Sequence, residues 1–442
     1  MTQSGHRDNA SSSALTGTVT MPHELSFQEG GRDYLRCADR AVDVVLSFGA
    51  SMMRAGNTAS RTRESVEVVA RKLRLDAVSV SLSLDSITAS FRRSGASVTT
   101  TREIGPTGIN ASRIVALEHL ARTAGPGLAP REIAIKLAEI DSTAPRYSSL
   151  QTAAAVGLVS GAFAFLNGAA PPELVATAIG GATGQRLRSW LSHRGLNDYG
   201  VGALSALTAS GVYLLTATLM LKLGFGVSHH SVAFIAAVLF LVPGFPLIAG
   251  LFDLLQHQTV AAVSRFAHGV MMLLAVAFGL SIVIKLGGID VSRPPPFELA
   301  YPLKLLLRAV ASFVGGSGFA MLFNCPPRMI LAAGLLALAA NDMRLLFIDF
   351  GMMLASAAFF AALAIGLVAL LVDDRSDIPR VAMAVAPTVI MVPGIYAFEM
   401  IASLNIGQMS DALQESATFW FVIVALAVGL ATPLFFRPRR RA

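Results

Sequence analysis

Three acidic residues lie in apolar stretches of this 442-residue sequence. Glu399 follows "MVPGIYAF", Asp253 follows "LVPGFPLIAGLF", and Asp349 lies in "LLFIDFG". A carboxyl group inside a membrane is costly, so such a residue is a candidate for carrying protons. Glu399 is the preferred candidate because it lies six residues past a proline on the same apolar stretch.

Two Val-Pro-Gly stretches could form a binding site. A proline removes a backbone donor and crowds the carbonyl four residues back, so each stretch should break its helix. Each proline lies roughly 18 Å into its apolar run, near the centre of a bilayer. Broken helices there present free carbonyls to cations and helix N-termini to carboxylates. The candidate substrate-binding residues are Pro243, Gly244, Pro393 and Gly394, with Tyr396 one helical turn further on. The alternative is a kink relieved by neighbouring helices.

Other polar residues near span ends have two interpretations. Asn167 and Asn324 could bind or gate substrate, or could simply cap helix ends. Asp349 could join a proton relay or pair with Arg344 in a structural role.

Arginine and histidine residues near the membrane surface add further candidates. Arg265 could meet Asp253, meet a substrate carboxylate, or anchor its helix at the membrane surface. Some histidines could titrate near neutral pH, but their spacing predicts no metal site: His229, His230, His257 and His268.

Composition divides the chain into a polar head and an apolar body. Hydrophobic residues make up 54% and charged residues 14% of the chain, and from Gln151 onward the apolar runs have membrane-spanning length. The net charge of +7 comes partly from "RLRSWLSHR" (186–194) and "RPRRR" (437–441), a positive-inside pattern. We expect no nucleic-acid binding, because no basic stripe is interleaved with aromatic residues.

The head, residues 31–146, is predicted to be a small cytosolic α+β domain. It follows a disordered tail, 1–30, in which no signal peptide is visible. Periodicity predicts helices at 33–54, 59–73, 111–124 and 130–140, a strand at 77–91 and a partner strand at 97–104.

The membrane body is predicted to contain ten spans in two halves, 147–290 and 291–436, before a basic cytosolic tail, 437–442. Ten spans return the C-terminus to the cytosolic side of the head. The spans lie near 151–168, 172–186, 199–221, 231–254, 263–286, 303–324, 327–341, 344–372, 381–403 and 417–436.

Four landmarks recur in the same order in both halves, at offsets of 150 to 157 residues. "GAFAFLNGAAPPEL" (161–174) matches "GFAMLFNCPPRMI" (318–330) and supplies two landmarks, an asparagine and a double proline. The third landmark is "NDYG" (197–200), which matches "IDFG" (348–351), and the fourth is "LVPG" (241–244), which matches "MVPG" (391–394). Five spans per copy would place the second copy in the opposite orientation. The predicted fold is therefore mainly α, a polytopic membrane protein of two five-helix inverted repeats, with a site at their interface. Spans 2 and 7 are predicted to be short, each after a double proline.

The order of motifs resembles the threonine/serine exporter family. "RAGNTASRTRESVEVVARKL" (54–73) precedes "PGFPLIAGLFDLL" (243–255), and "VPGIYAF" (392–398) follows in the second half. The resemblance covers about residues 33–436. It implies ten spans after an N-terminal domain, export of small polar metabolites driven by the proton gradient, and no cofactor. In some bacteria the two halves resemble separate subunits, a pair that is linked to succinate export.

We therefore predict an inner-membrane exporter of L-threonine, L-serine or a similar amino acid, with protons and lipid as its other partners. Homo-oligomerisation stays open. Dicarboxylate export is the alternative and would need a further cation, for which Arg265 and Arg308 are candidates. "GGSG" (315–318) also fits a rhomboid-type hydrolase with Ser317 and His268, but a four-residue match in a glycine-rich helix is weak. A channel or receptor gated by the head is a further class. No ATP-binding or zinc-protease motif is present, so we do not expect an enzyme.

Overall fold

The computed structural model describes residues 29–75, 77–93, 96–125, 129–225, 231–288, 299–373 and 380–436. The predicted disordered tail up to residue 28, His229 and His230, and the basic tail 437–442 lie outside these residues. The described part of the chain is mainly helical, with one small sheet.

The head is an α+β domain. Its elements are α1 (Glu29–Arg54), α2 (Ala59–Lys72), β1 (Ala77–Leu82), β2 (Ser86–Arg93), β3 (Ala96–Glu103), α3 (Ala111–Thr123) and α4 (Pro130–Ser142). The strands form an antiparallel sheet in the order β1-β2-β3.

The prediction of one strand over 77–91 was wrong, because the run contains a hairpin turn. The Ser83 amide donates to the Ser86 carbonyl at 2.9 Å, which closes the turn. The Ser83 hydroxyl donates to the Asp85 carboxylate and holds the pKa of that exposed group below its usual value. Serine and aspartate favour turns through such local hydrogen bonds, and the apolar–polar alternation continues on both sides of this turn.

The sheet buries one face against the head's helices. Ile87, Ala89 and Phe91 alternate along β2 and are buried. On the opposite face, Thr88 and Thr101 share a hydroxyl hydrogen bond of 2.9 Å. The alternation of β2 therefore fixes which face forms the head's core.

The membrane body follows as twelve helices within the described residues. The first half contains α5 (Ser149–Leu166), α6 (Pro171–Ser192), α7 (Asp198–Lys222), α8 (Ser231–Ala236), α9 (Gly244–Leu255) and α10 (Thr259–Gly287). The second half contains α11 (Tyr301–Leu322), α12 (Pro327–Asp349), α13 (Leu354–Asp373), α14 (Arg380–Val389), α15 (Gly394–Asn405) and α16 (Met409–Phe435).

Among the described helices, seven are long and apolar enough to cross a bilayer, or eight if the bent pair α14–α15 is one span. The remaining two of the ten predicted spans correspond to α6, which carries charged residues, and to the interrupted pair α8–α9. Spans 2 and 7 are not short, because α6 has 22 residues and α12 has 23. The boundary between spans 7 and 8 was also misplaced, since α12 continues through 342–349 and α13 begins at Leu354.

Helix contacts follow the same pattern in both halves. In the first half, α5 packs on α6, α6 on α7, α7 on α10, and α9 on α10. In the second half, α11 packs on α12, α12 on α13, α13 on α16, and α15 on α16. Between the halves, α5 packs on α11, α9 on α16, and α15 on α10.

The head rests on one end of the membrane body. The Ala111 amide donates to the Phe323 carbonyl at 2.9 Å, and the Ser112 hydroxyl donates to the Asn324 carbonyl at 2.6 Å. The Tyr147 hydroxyl donates to the Cys325 carbonyl at 2.8 Å, and partial burial raises the pKa of Tyr147. These bonds join the head to the loop between α11 and α12.

Candidate functional site

The two Val-Pro-Gly stretches adopt the same backbone turn. Pro243 precedes α9 with φ −76° and ψ 52°, and Pro393 precedes α15 with φ −81° and ψ 52°. In each turn the glycine amide donates to the valine carbonyl two residues back, at 2.7 Å for Gly244 and 2.8 Å for Gly394. This is an inverse γ-turn, a tight device that starts a new helix at once.

The two turns pack against each other. A Cβ on Gly244 would lie 2.8 Å from Val392 Cγ2, and a Cβ on Gly394 would lie 2.9 Å from Val242 Cγ2. Such distances are too short for a side chain, so both positions depend on glycine. The structure thus brings the four candidate residues Pro243, Gly244, Pro393 and Gly394 together where the two halves meet.

One polar side chain from the second helix of each half donates to a carbonyl of the interrupted segment; the Ala233 carbonyl also accepts the Ala237 amide at 3.2 Å. The Thr177 hydroxyl of α6 donates to the Ala233 carbonyl of α8 at 3.1 Å. Arg344 Nη1 of α12 donates to the Met391 carbonyl at 3.4 Å. Lipid cannot supply hydrogen bonds to free backbone groups, so these contacts help to make the interruptions tolerable.

The second break has three ionisable or phenolic neighbours. Glu399 is 4% exposed and lies on α15, one turn after the half-buried Tyr396. Tyr396 lies within electrostatic range of Arg344. Arg344 therefore contacts the second break. Its pairing with Asp349, one of the two roles considered for Asp349 from the sequence, is not observed.

Asp349 is instead paired with Arg308. It lies at the C-terminal end of α12, and its Oδ1 accepts a hydrogen bond from Arg308 Nη2 at 3.3 Å. Arg308 lies in the N-terminal half of α11. Phe323, which contacts the head, follows the other end of this helix, about 22 Å away along the axis. The pair therefore lies far from the head.

A polar cluster on α11 and α12 was missed by the sequence analysis. The Ser312 hydroxyl donates to Asp342 Oδ1 at 2.9 Å and accepts from Asn341 Nδ2 at 2.8 Å. Ser312 and Asn341 are fully buried. Their signal was present in "AANDMRLL", but those polar residues resembled a loop between two spans.

Asp253 and Arg265 form a buried ion pair under the head. Arg265 Nε lies 3.2 Å from Asp253 Oδ2, with side-chain exposures of 5% and 0%. Asp253 Oδ1 accepts a hydrogen bond from the Ala59 amide at 2.9 Å, and Arg265 donates to the Asn57 carbonyl. Asp253 therefore caps the N-terminus of α2, whose own N-cap residue Thr58 makes no side-chain cap. Three roles were considered for Arg265. The structure places its guanidinium in contact with Asp253 and with the Asn57 carbonyl of the head.

The two repeat-equivalent asparagines do not meet. Asn167 follows α5 and donates from Nδ2 to the Phe163 carbonyl at 2.7 Å. Asn324 has a left-handed φ of 56°, accepts from the Arg146 amide at 2.8 Å and donates to Asn110 Oδ1 at 2.9 Å. Asn167 thus makes a capping contact, and Asn324 binds the head.

The residues of the rhomboid-type alternative do not form a dyad. His268 Nδ1 lies 3.1 Å from the Tyr199 hydroxyl, and Ser317 Oγ contacts the Ile330 carbonyl at 3.5 Å. Their hydrogen-bond partners therefore lie on different helices, α7 and α12.

A small cavity adjoins the breaks. Its volume is about 80 Å³, and it lies between α9, α13, α14, α16 and Thr58 of the head. Its lining is mostly apolar and includes Phe245, Ala249 and Thr388. Ligand sites usually have volumes of at least about 300 Å³, so a substrate would need this region to open.

Comparisons with known proteins agree with the motif order. A model of the threonine/serine exporter family matches residues 43–287, and a second, "Threonine/Serine exporter, ThrE", matches residues 308–436. The "Threonine/serine exporter" of Corynebacterium glutamicum is 24% identical over 435 residues, which cover 96% of this chain and 85% of the relative.

Two further relatives match about half of the chain. The "Probable succinate transporter subunit YjjP" of Escherichia coli (strain K12) is 26% identical over 248 residues, 55% of this chain and 93% of that protein. Its namesake in Klebsiella aerogenes is 26% identical over 223 residues, 50% of this chain and 83% of that protein. No solved structure matches the chain. The first family match alone covers more than half of the 442 residues, and the chain belongs to the threonine/serine exporter family.

Proposed function

We propose that this protein is a secondary transporter that exports L-threonine, L-serine or similar small polar amino acids across the bacterial inner membrane, driven by the proton gradient. The observation that carries the proposal is the contact between the two Val-Pro-Gly turns beside Arg344, Tyr396 and Glu399. The family membership and the name of the Corynebacterium relative support the substrate class.

The side chains at the second break complement a hydroxylated amino acid. Arg344 Nε is buried without a hydrogen-bond partner among the described residues, so a guanidinium donor is free for a carboxylate. Glu399 offers a carboxylate for an ammonium group or a proton, and the Tyr396 phenol can hydrogen-bond a side-chain hydroxyl. This arrangement belongs to the second half only, because Ala249 takes the place of Glu399 in the first.

The halves would alternate access as inverted repeats. The C-terminal end of α9 contacts the head through Asp253. The C-terminal end of α15 contacts α10 instead, where Asn405 Nδ2 donates to the Ser281 hydroxyl at 2.8 Å. Ser281 lies 16 residues past Arg265, which contacts the head, and is therefore about 24 Å further along the helix. Equivalent helices thus point in opposite directions, as inversion requires.

The first helices of the two halves also support inversion. Tyr147, just before α5, contacts Cys325, just after α11, so these equivalent helices run antiparallel. We propose ten spans in all, with α8–α9 and α14–α15 each crossing as one interrupted span. The head, 31–146, and both termini would face the cytosol, in accordance with the arginines at the end of α6.

Glu399 is the proposed proton carrier. It is buried on the broken helix, where protonation would remove a costly charge. Asp253 is a weaker candidate because it holds the head through the Ala59 amide, and Asp349 because it lies at the C-terminal end of α12. None of Arg344, Tyr396 and Glu399 lines the small cavity beside the breaks, so transport would require a larger space to open next to these residues.

Efflux from proteoliposomes tests the proposal. Vesicles holding purified protein and L-threonine should release it faster under an imposed proton gradient, and an uncoupler should abolish the difference. L-Valine, which replaces the hydroxyl with a methyl group, is the matched control and should leave more slowly. Tyr396→Phe should narrow the difference between the efflux rates of threonine and valine. No efflux of threonine or serine under any gradient would refute the proposed substrate class.

Dicarboxylate export is the second candidate, because two relatives are named as subunits of a succinate transporter. A dianion needs a second cation beside Arg344. Arg265 and Arg308, the cations considered for this role, are each paired with an aspartate, which favours a zwitterionic substrate. Succinate efflux faster than threonine efflux from the same vesicles would reverse this preference.

A further inference from the structure

The head contains a cavity that is separate from the helix breaks. Its volume is about 300 Å³, and it lies between α1, α4 and the end of β3. The volume matches the lower end of the range for small-molecule sites, about 300–1,000 Å³. The polar residues of its lining include Asp43, Ser47, Ser51, Arg54, Arg102 and Asp141.

Two ion pairs face this cavity. Arg54 Nη2 lies 2.6 Å from Asp141 Oδ2, and the Ser51 hydroxyl joins both, donating to Asp141 at 2.7 Å and accepting from Arg54 at 2.8 Å. Arg102 pairs with Asp43 and also donates to the Ser47 hydroxyl, which donates to the Asp43 backbone carbonyl. Each pair thus combines a guanidinium and a carboxylate at the wall of one cavity.

Hydrogen-bonding capacity remains at this wall. The atoms Arg54 Nε and Asp141 Oδ1 are covered and make no hydrogen bond with the residues that the structure describes, although Arg113 Nε lies 3.9 Å from Asp141 Oδ1. Buried polar atoms without partners are rare, and a ligand that bonds to both would remove their desolvation cost. A ligand with both an acceptor and a donor would reach these two atoms only if the side chains that cover them moved.

We propose that the head cavity is a regulatory site for a free α-amino acid. The α-carboxylate would bind a guanidinium, and the α-ammonium group would bind an aspartate. A purely anionic ligand would be repelled by the carboxylates Asp43, Glu103 and Asp141. A purely cationic ligand would be repelled by the guanidinium groups of Arg54 and Arg102. A zwitterion avoids both conflicts.

A short path connects this cavity to the broken helix α9. Arg54 ends α1, and the next four residues, 55–58, form the docking loop before α2. The Arg54 and Ala55 carbonyls accept bonds of 3.0 Å from the Gly108 and Asn110 amides. The Asn57 carbonyl of the docking loop accepts a hydrogen bond from Arg265. The Ala59 amide, at the start of α2, donates to the Asp253 carboxylate. Occupancy of the cavity would therefore be transmitted to the base of α9. This regulatory role rests on the proposed export function, whereas binding itself does not.

Hydrogen–deuterium exchange on the full chain in lipid nanodiscs tests the site. L-Threonine at saturating concentration should slow amide exchange in peptides covering 47–60 and 134–141. Succinate and ethanolamine, which carry only one sign of charge, should have no such effect. Titration of the protection gives an apparent Kd for the head, independent of transport.

Two variants separate the head site from the transport site. Arg102→Gln removes one charged donor and should weaken the head's apparent Kd about tenfold or more. Ala138→Leu fills the lining without altering a charge and should have the same effect, whereas Arg131→Gln on the exposed face of α4 should have none.

Two outcomes would overturn the proposal. The first is threonine protection near 391–399 with none in the head, which would leave the export proposal intact. The second is head protection that persists unchanged in both Arg102→Gln and Ala138→Leu. Head protection without any threonine efflux would support the site and refute only the export function.

Discussion

Replacement of Asp253 by alanine should loosen the contact between the head and the base of α9. Asp253 is fully buried, and its two carboxylate oxygens hold the Ala59 amide at 2.9 Å and Arg265 Nε at 3.2 Å. In Asp253→Ala the Arg265 guanidinium stays buried without its carboxylate. Breaking a buried ion pair costs about 3–5 kcal/mol, and loss of a helix N-cap costs about 1 kcal/mol more.

The size of this effect can be set from the remaining contacts. Arg265 still donates to the Asn57 carbonyl in the variant, so we take the lower end, about 4 kcal/mol in total. Since about 1.4 kcal/mol corresponds to a factor of ten, the docking equilibrium should weaken by roughly three orders of magnitude. Hydrogen exchange of the amides at 57–62 should accelerate by a comparable factor if undocking limits their exchange.

Two variants control for the loss of a carboxylate as such. Asp411→Ala removes an exposed aspartate from the first turn of α16 and should leave exchange at 57–62 unchanged. Asp253→Leu combined with Arg265→Leu removes both charges and should recover part of the protection, because the uncompensated cation is then absent. Unchanged exchange in Asp253→Ala would refute the assignment of this pair as an attachment of the head to α9.

Three further predictions concern the breaks, the polar cluster and the head. Gly394→Ala should reduce export strongly because its Cβ would lie 2.9 Å from Val242 Cγ2, whereas Gly211→Ala, with no atom within 4 Å, should not; efflux assays compare them. Asn341→Ala removes the 2.8 Å bond to Ser312 and should cost about 1–3 kcal/mol, measured as a lowered Tm in detergent. Gly49→Ala places a Cβ 2.4 Å from Ile87 Cδ1 and should cost about 1–3 kcal/mol through overpacking of the head, visible as faster exchange in β2.

The sequence predicted the helix breaks because proline and glycine act locally. A proline inside an apolar run favours a break, and the collinear repeat paired Pro243 with Pro393; a proline alone does not suffice, since Pro433 lies inside α16. The same local chemistry placed the head's helices within a few residues of their observed bounds. Family resemblance and structure then agree on the order of head and membrane body.

The errors came from polar residues whose partners lie far away in the sequence. Asn341 was placed at the end of span 7 and Asp342 between two spans, because their partner Ser312 lies on another helix and could not be identified from spacing. Arg344 looked like a partner for Asp349, although its contact is a backbone carbonyl 47 residues on. Asp253 looked like a membrane residue near the rim, and only the fold shows that it caps a helix of the head.

Glu399→Gln tests the proposed coupling of proton movement to amino-acid export. Proteoliposomes holding wild-type protein, Glu399→Gln or the control Asp411→Asn are compared for gradient-driven L-threonine efflux and for threonine–threonine exchange at equal pH. We predict that Glu399→Gln loses the acceleration by the gradient but retains exchange, while the control retains both. Gradient-driven efflux of Glu399→Gln equal to that of the wild type would refute the proposed role of Glu399.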